Sequence, residues 1–94
     1  MIITEVQKTE TWAYFESLPK RQRPHGLTDR RLVKAKSLLW NDEFFWMDIV
    51  LRHGLDKDSP GELQEKEPQV YDHLVGNFWG QVIGILYDTG VLKA

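Results

Sequence analysis

Apolar residues recur at helical spacing along most of the chain. Trp12, Phe15 and Leu18 fall at i, i+3 and i+6, one stripe of a short helix that Thr9 or Thr11 would cap. Pro19 ends it, because the residue before a proline avoids the helical region. A second stripe holds Leu32, Val33, Ala35, Leu38 and Leu39 and follows Thr28, a natural N-cap. Asp29 stands in its first turn, where a carboxylate meets the positive end of the helix dipole. A third helix is expected over about 42–53, opened by Asn41 or Asp42 and stopped by Gly54. The last covers about 68–88, starts at Pro68, carries Val70, Leu74, Phe78, Val82 and Ile85 or Leu86, and ends at Gly90.

The connectors are equally readable. Residues 19–27 contain two prolines, a glycine and the cations Lys20, Arg21 and Arg23, which precludes a regular element. Residues 55–68 are polar and acidic. Within them Ser59-Pro60-Gly61-Glu62 matches a capping box with proline at the first helical position, so a short helix starts there. Residues 1–7 read as extended, and one strand alone cannot form a sheet, so they are expected as an arm packed on the helices. The expected fold class is therefore all-α: a single helical domain over 1–94, a small bundle of three to five helices with a short extended N-terminal arm.

The stretch from Leu38 to Leu51 changes that picture. Ten of its fourteen residues are apolar, and at 100° per residue they go nearly all the way round. Such a helix is either central to the core or half-buried with an aromatic face left over. Trp40, Phe44, Met47 and Leu51, with Leu74, Phe78 and Val82, are expected to build the core. Trp40, Phe45 and Trp46 are expected to keep some exposed surface, since a domain of 94 residues has only two or three other helices to cover them.

Composition adds exclusions. The chain has no cysteine, which rules out disulfides, thiolate metal sites and cysteine nucleophiles. The start lacks the basic and apolar regions of a signal peptide, and no run approaches the roughly 18–20 apolar residues of a membrane span. A cytoplasmic protein without membrane association is the expectation. Net charge is −2, split unevenly: residues 1–36 carry eight Lys and Arg against four acids, residues 37–94 four against ten.

Four features invite chemistry. Lys20, Arg21, Arg23 and His25, then Arg30, Arg31, Lys34 and Lys36, form a basic segment suited to phosphates. A helix-turn-helix over 28–53 is disfavoured, because its reading helix would open Asp42-Glu43-Phe44-Phe45-Trp46. Residues 56–67 align on a calcium loop with Asp56, Asp58, Gly61 and Glu67 in register, but Pro60 occupies a ligand position; a capped acidic loop is expected instead. Gly76, Gly80 and Gly84 line one face of the last helix, which favours close packing against the aromatic helix of the same chain, with a homodimer face as the alternative. His25, His53 and His73 lie far apart, although His53 and His73 are positioned to converge with Asp56 or Asp72.

None of these is a catalytic constellation. The expected function is a non-enzymatic protein-binding module or regulator, such as an inhibitor or adaptor, that docks on a larger protein or complex. The expected partner-binding residues are Lys20, Arg21, Arg23, Arg30, Arg31, Trp40, Phe45 and Trp46, with no catalytic residue, metal or cofactor. The alternative is a nucleic-acid-associated protein that binds weakly through the basic 20–36 segment.

Overall fold

A computed structural model describes residues 3–93, and all its regular elements are helical. The first helix, α1 (Glu5–Ser17), begins inside the stretch expected to be an extended arm. The cause is local: Thr4 accepts a hydrogen bond from the Gln7 amide, and the Gln7 side chain accepts one from the Thr4 amide. This reciprocal cap satisfies two otherwise unpaired donors and starts the helix five residues earlier than Thr9 would. Met1 and Ile2, the tip of the expected arm, lie outside the described residues.

The other boundaries follow the sequence signals. Leu18 is extended before Pro19, and a 3₁₀ turn (Lys20–Gln22) follows. Thr28 caps α2 (Asp29–Leu39), and Asp42 caps α3 (Glu43–Trp46). Helix α3 runs into a π-helical segment (Met47–Leu51), and Gly54 adopts a positive φ of 76° to turn the chain out. Ser59 and Glu62 form the expected box on α4 (Pro60–Lys66). The long α5 (Pro68–Asp88) stops before Gly90, whose φ is 79°. Among the described residues no helix is long and apolar enough to cross a membrane.

Helix α5 is the axis on which α2, α4 and the π segment pack. The first helix joins through aromatic rings. Phe15 stacks on Phe78 with centroids 3.8 Å apart and planes 8° from parallel, and Trp12 meets Phe78 edge-on at 5.2 Å and Trp46 at 6.3 Å. Phe45 and Trp79 complete the cluster. Two ring nitrogens inside it, Nε1 of Trp12 and of Trp79, have no hydrogen-bond partner. Beside it the hydroxyls of Tyr14 and Tyr71 meet at 2.5 Å, tying α1 to the start of α5. Burial, then the bond to Tyr71, raises the Tyr14 hydroxyl well above the ordinary tyrosine range.

The α3–π helix turns the opposite way from the expectation. Phe44 is 85% exposed and Met47 44%, whereas Phe45 and Trp46 are buried with Ile49 and Val50. The helix carries two competing apolar faces, and only one can meet α5. The face with Phe45, Trp46, Ile49 and Val50 removes more apolar surface from water than Phe44, Met47 and Leu51 would, so it wins. Of the other expected core residues, Leu74, Phe78 and Val82 are fully buried, while Trp40 and Leu51 pack partly buried at the edge.

Candidate functional site

Burial removes Phe45 and Trp46 from the exposed surface. The indole of Trp46 also donates its N–H to the Trp40 carbonyl at 2.9 Å, a bond internal to the fold. Trp40 is half-buried and engaged on several sides: its own N–H donates to Glu5 at 3.0 Å, and the ammonium groups of Lys36 and Lys8 stand over its ring at 5.2 and 5.9 Å.

The basic loop is partly spent within the molecule. Lys20 pairs with Asp29 at 3.1 Å and Arg23 with the same carboxylate at 2.5 Å. Those two cations, Arg23 first, hold the Asp29 carboxyl below the usual carboxylate range. The Arg23 side chain is only 8% exposed, and its buried Nε has no partner. Arg31 donates to the Gly26 carbonyl at 2.6 Å, while Arg21 and Arg30 stay exposed. The loop sits at the N-terminal end of α2 and Trp40 caps its C-terminal end. At 1.5 Å per residue, Thr28 and Trp40 are about 18 Å apart along the axis.

Other residues come together instead. Asp48 accepts hydrogen bonds from Asn77 at 2.7 Å and Gln81 at 2.8 Å, and from Arg52 at 3.2 Å. Gln81 also donates to Asn77 at 2.9 Å. The i, i+4 spacing of Asn77 and Gln81 was the sequence signal for this polar seam. Beyond it, Arg52, His53, Asp72, His73, Gly76 and Asn77 line a cleft of about 640 Å³. His53 is 6% exposed, and its Nδ1 is fixed on the Ile49 carbonyl at 3.1 Å. Among the described residues no group of three or more His, Asp or Glu is placed to hold a metal ion. Over 56–67, Ser59 and Glu62 cap α4, and Lys66 reaches Asp58 at 3.5 Å and Glu62 at 3.7 Å.

The glycine face departs from expectation. A methyl group built on Gly76, Gly80 or Gly84 meets nothing within 4 Å, so no element of the same chain packs closely there. The aromatic helix was expected in that groove. It lies instead against the Asn77–Gln81 flank of α5, through Asp48, and its large rings go to the core. The groove is open.

The chain matches no known protein family. Nor does any curated protein or solved structure match it. The arrangement must therefore be judged on its own chemistry.

The Asp48 seam carries a testable consequence. Its carboxyl is held below the usual range, mainly by the Asn77 hydrogen bond and against the opposing effect of burial. A depressed folded-state pKa stabilises the fold above the unfolded value of about 4 and loses that contribution as pH falls through the lower folded value. Asp48→Ala should cost about 1–3 kcal/mol at pH 7, because Asn77 and Gln81 lose their shared acceptor. The deficit should shrink in acid, where wild type loses the same contribution. Urea unfolding of both proteins across this range checks it; an equal deficit at every pH would remove Asp48 as the charged hub.

Proposed function

We propose that this chain is a non-enzymatic docking module, a regulator in the manner of an inhibitor or adaptor, that binds a larger protein through Phe44 and Met47 together with the open glycine face of α5. The observation that carries this reading is Phe44, a large aromatic side chain left 85% exposed on a helix that is capped and packed on its other face. Leaving a phenylalanine in water forgoes about 1.5–3 kcal/mol of burial. Buried aromatic anchors are what protein interfaces concentrate.

The register supports a joint surface. Asp48 bonds to Asn77 and Gln81, and Arg52 lines the cleft with His73 and Gly76, so the α3–π helix runs antiparallel to α5. One turn before Asp48, that register puts Phe44 at the level of Gly84. The exposed ring and the small-residue face of α5 then share one level along the axis, and the glycines let a partner backbone approach closely. The nucleic-acid reading is the weaker one, because Lys20 and Arg23 are already engaged by Asp29.

The test uses the full chain as bait in its native cell, followed by affinity measurement with the captured protein. Phe44→Ala is expected to weaken binding by about 2 kcal/mol or more, the scale of an interface anchor. Its circular dichroism and melting should match wild type. Unchanged affinity for both Phe44→Ala and Met47→Ala would overturn the proposal.

A further inference from the structure

On another side of the molecule, Val33 is 64% exposed in the middle of α2. Beyond α5 the chain folds back, with the Gly90 amide donating to the Tyr87 carbonyl and the Leu92 amide to the Leu86 carbonyl. This return sets Val91 opposite Val33. The two valines, with Arg30, Arg31, Lys34 and Ser37, line a groove of about 520 Å³. Its floor is apolar and its rim cationic.

The rim cations are unneutralised, whereas five others find carboxylates: Lys8 pairs with Glu5, Lys20 and Arg23 with Asp29, Arg52 with Asp48, and Lys66 with Asp58 and Glu62. Among the described residues, Arg30, Arg31 and Lys34 have no carboxylate within ion-pair distance. Arg31 is also held in place by its bond to the Gly26 carbonyl, so part of the rim is pre-organised.

We infer that this groove binds an acidic amphipathic segment of a partner protein, one whose bulky apolar residue covers Val33 and Val91 while flanking Asp or Glu side chains meet Arg30, Arg31 and Lys34. Charge complementarity selects the carboxylates, and the apolar floor selects the residue between them. A phosphate backbone would satisfy the rim but leave both valines uncovered. A second copy could offer its own acidic 56–67 segment, but that segment holds no bulky aromatic residue to cover both valines. This surface is separate from the one that bears Phe44 and does not depend on it.

The test pans a phage-displayed random peptide library against the full chain. The best enriched peptide is then synthesised and its binding followed by fluorescence anisotropy. Enriched peptides should carry two or more Asp or Glu around Leu, Ile or Phe. The Arg30→Glu/Lys34→Glu double variant should weaken binding at least about tenfold, as should high salt. Val33→Ser should weaken it too, while Phe44→Ala leaves it unchanged. Circular dichroism of each variant verifies the fold, with Arg30→Ala/Lys34→Ala as the milder pair should charge reversal disturb it. Four results would overturn the inference: no enrichment, enriched peptides lacking acids, binding indifferent to the rim variants, or tighter binding of a short DNA duplex or phosphatidylserine vesicles than of the peptide. Self-association of wild type that the rim variants abolish would equally overturn it, by assigning the groove to a second copy.

Discussion

Replacing Phe78 with alanine should remove about 3–5 kcal/mol of stability. A domain of this kind has about 5–15 kcal/mol in total, so the variant should be close to unfolding at 37 °C. Phe78 is the ring on which the molecule converges: Phe15 stacks flat on it, and Trp12, Phe45 and Trp79 meet it at 5.2, 6.1 and 5.0 Å. Its loss leaves a cavity bounded by stiff rings on three helices. Rings that hold one another cannot collapse into a void as aliphatic side chains do, which places the cost toward the upper end. Phe44→Ala is the control, with an expected change within about 0.5 kcal/mol because the ring is exposed. Urea unfolding of both variants decides the matter. If Phe44→Ala were the more damaging, the assignment of inner and outer faces on the α3–π helix would be wrong.

Converting Gly76, Gly80 and Gly84 together to alanine should do the reverse and raise stability by about 2.4–3 kcal/mol, at about 0.8–1 kcal/mol for each helical glycine replaced. All three lie inside α5, none has a positive φ, and an added methyl meets nothing within 4 Å. No strain or clash opposes the gain in helix propensity. For a domain of this size it corresponds to a rise in melting temperature of about 10 °C or more. A gain below about 1 kcal/mol would mean that the glycines serve the isolated fold in a way these contacts do not show. Under the docking proposal the same triple variant should bind its partner less well, because the methyl groups fill the groove. A face that weakens the monomer while leaving room for another backbone is the usual trade between stability and activity.

The sequence and the structure agree where the signal is local. Thr28, Ser59, Pro68, Gly54 and Gly90 punctuate the chain through backbone hydrogen bonds and dihedral freedom, and those physical causes act within a few residues. The start of α1 is equally local, but its box, Thr4 with Gln7, carries glutamine in place of the commoner glutamate and gives a fainter signal than Thr9 and Thr11. The orientation of the α3–π helix is a different matter. Two apolar faces on one helix are resolved only by what lies opposite, and the rings of Trp12, Phe15 and Phe78 come from residues distant in sequence. For the same reason Trp46 reads as a surface anchor in the sequence and stands in the core of the fold. Periodicity reports that a face is apolar, not which of two such faces is chosen. The glycine stripe was visible, but its emptiness was not. The charge of the basic segment was visible too, while the internal use of Lys20 and Arg23 depended on the fold of the loop around Asp29.

The stacked pair at the centre has a bearing on how the protein is made. Phe15 and Phe78 are separated by 63 positions, and one lies in the first helix and the other in the last. At about 5–20 residues per second, a ribosome adds that span in roughly 3–13 s. Until then Trp12 and Phe15 have been synthesised but their principal neighbours on α5 have not. The nascent chain thus carries a bare aromatic helix until α5 is made, and helix formation alone cannot hide it. Folding has to wait for α5, and a chain terminated before it would retain the exposed rings with no surface to receive them. Such truncated products should be substrates for chaperones and proteases rather than smaller working versions of the domain.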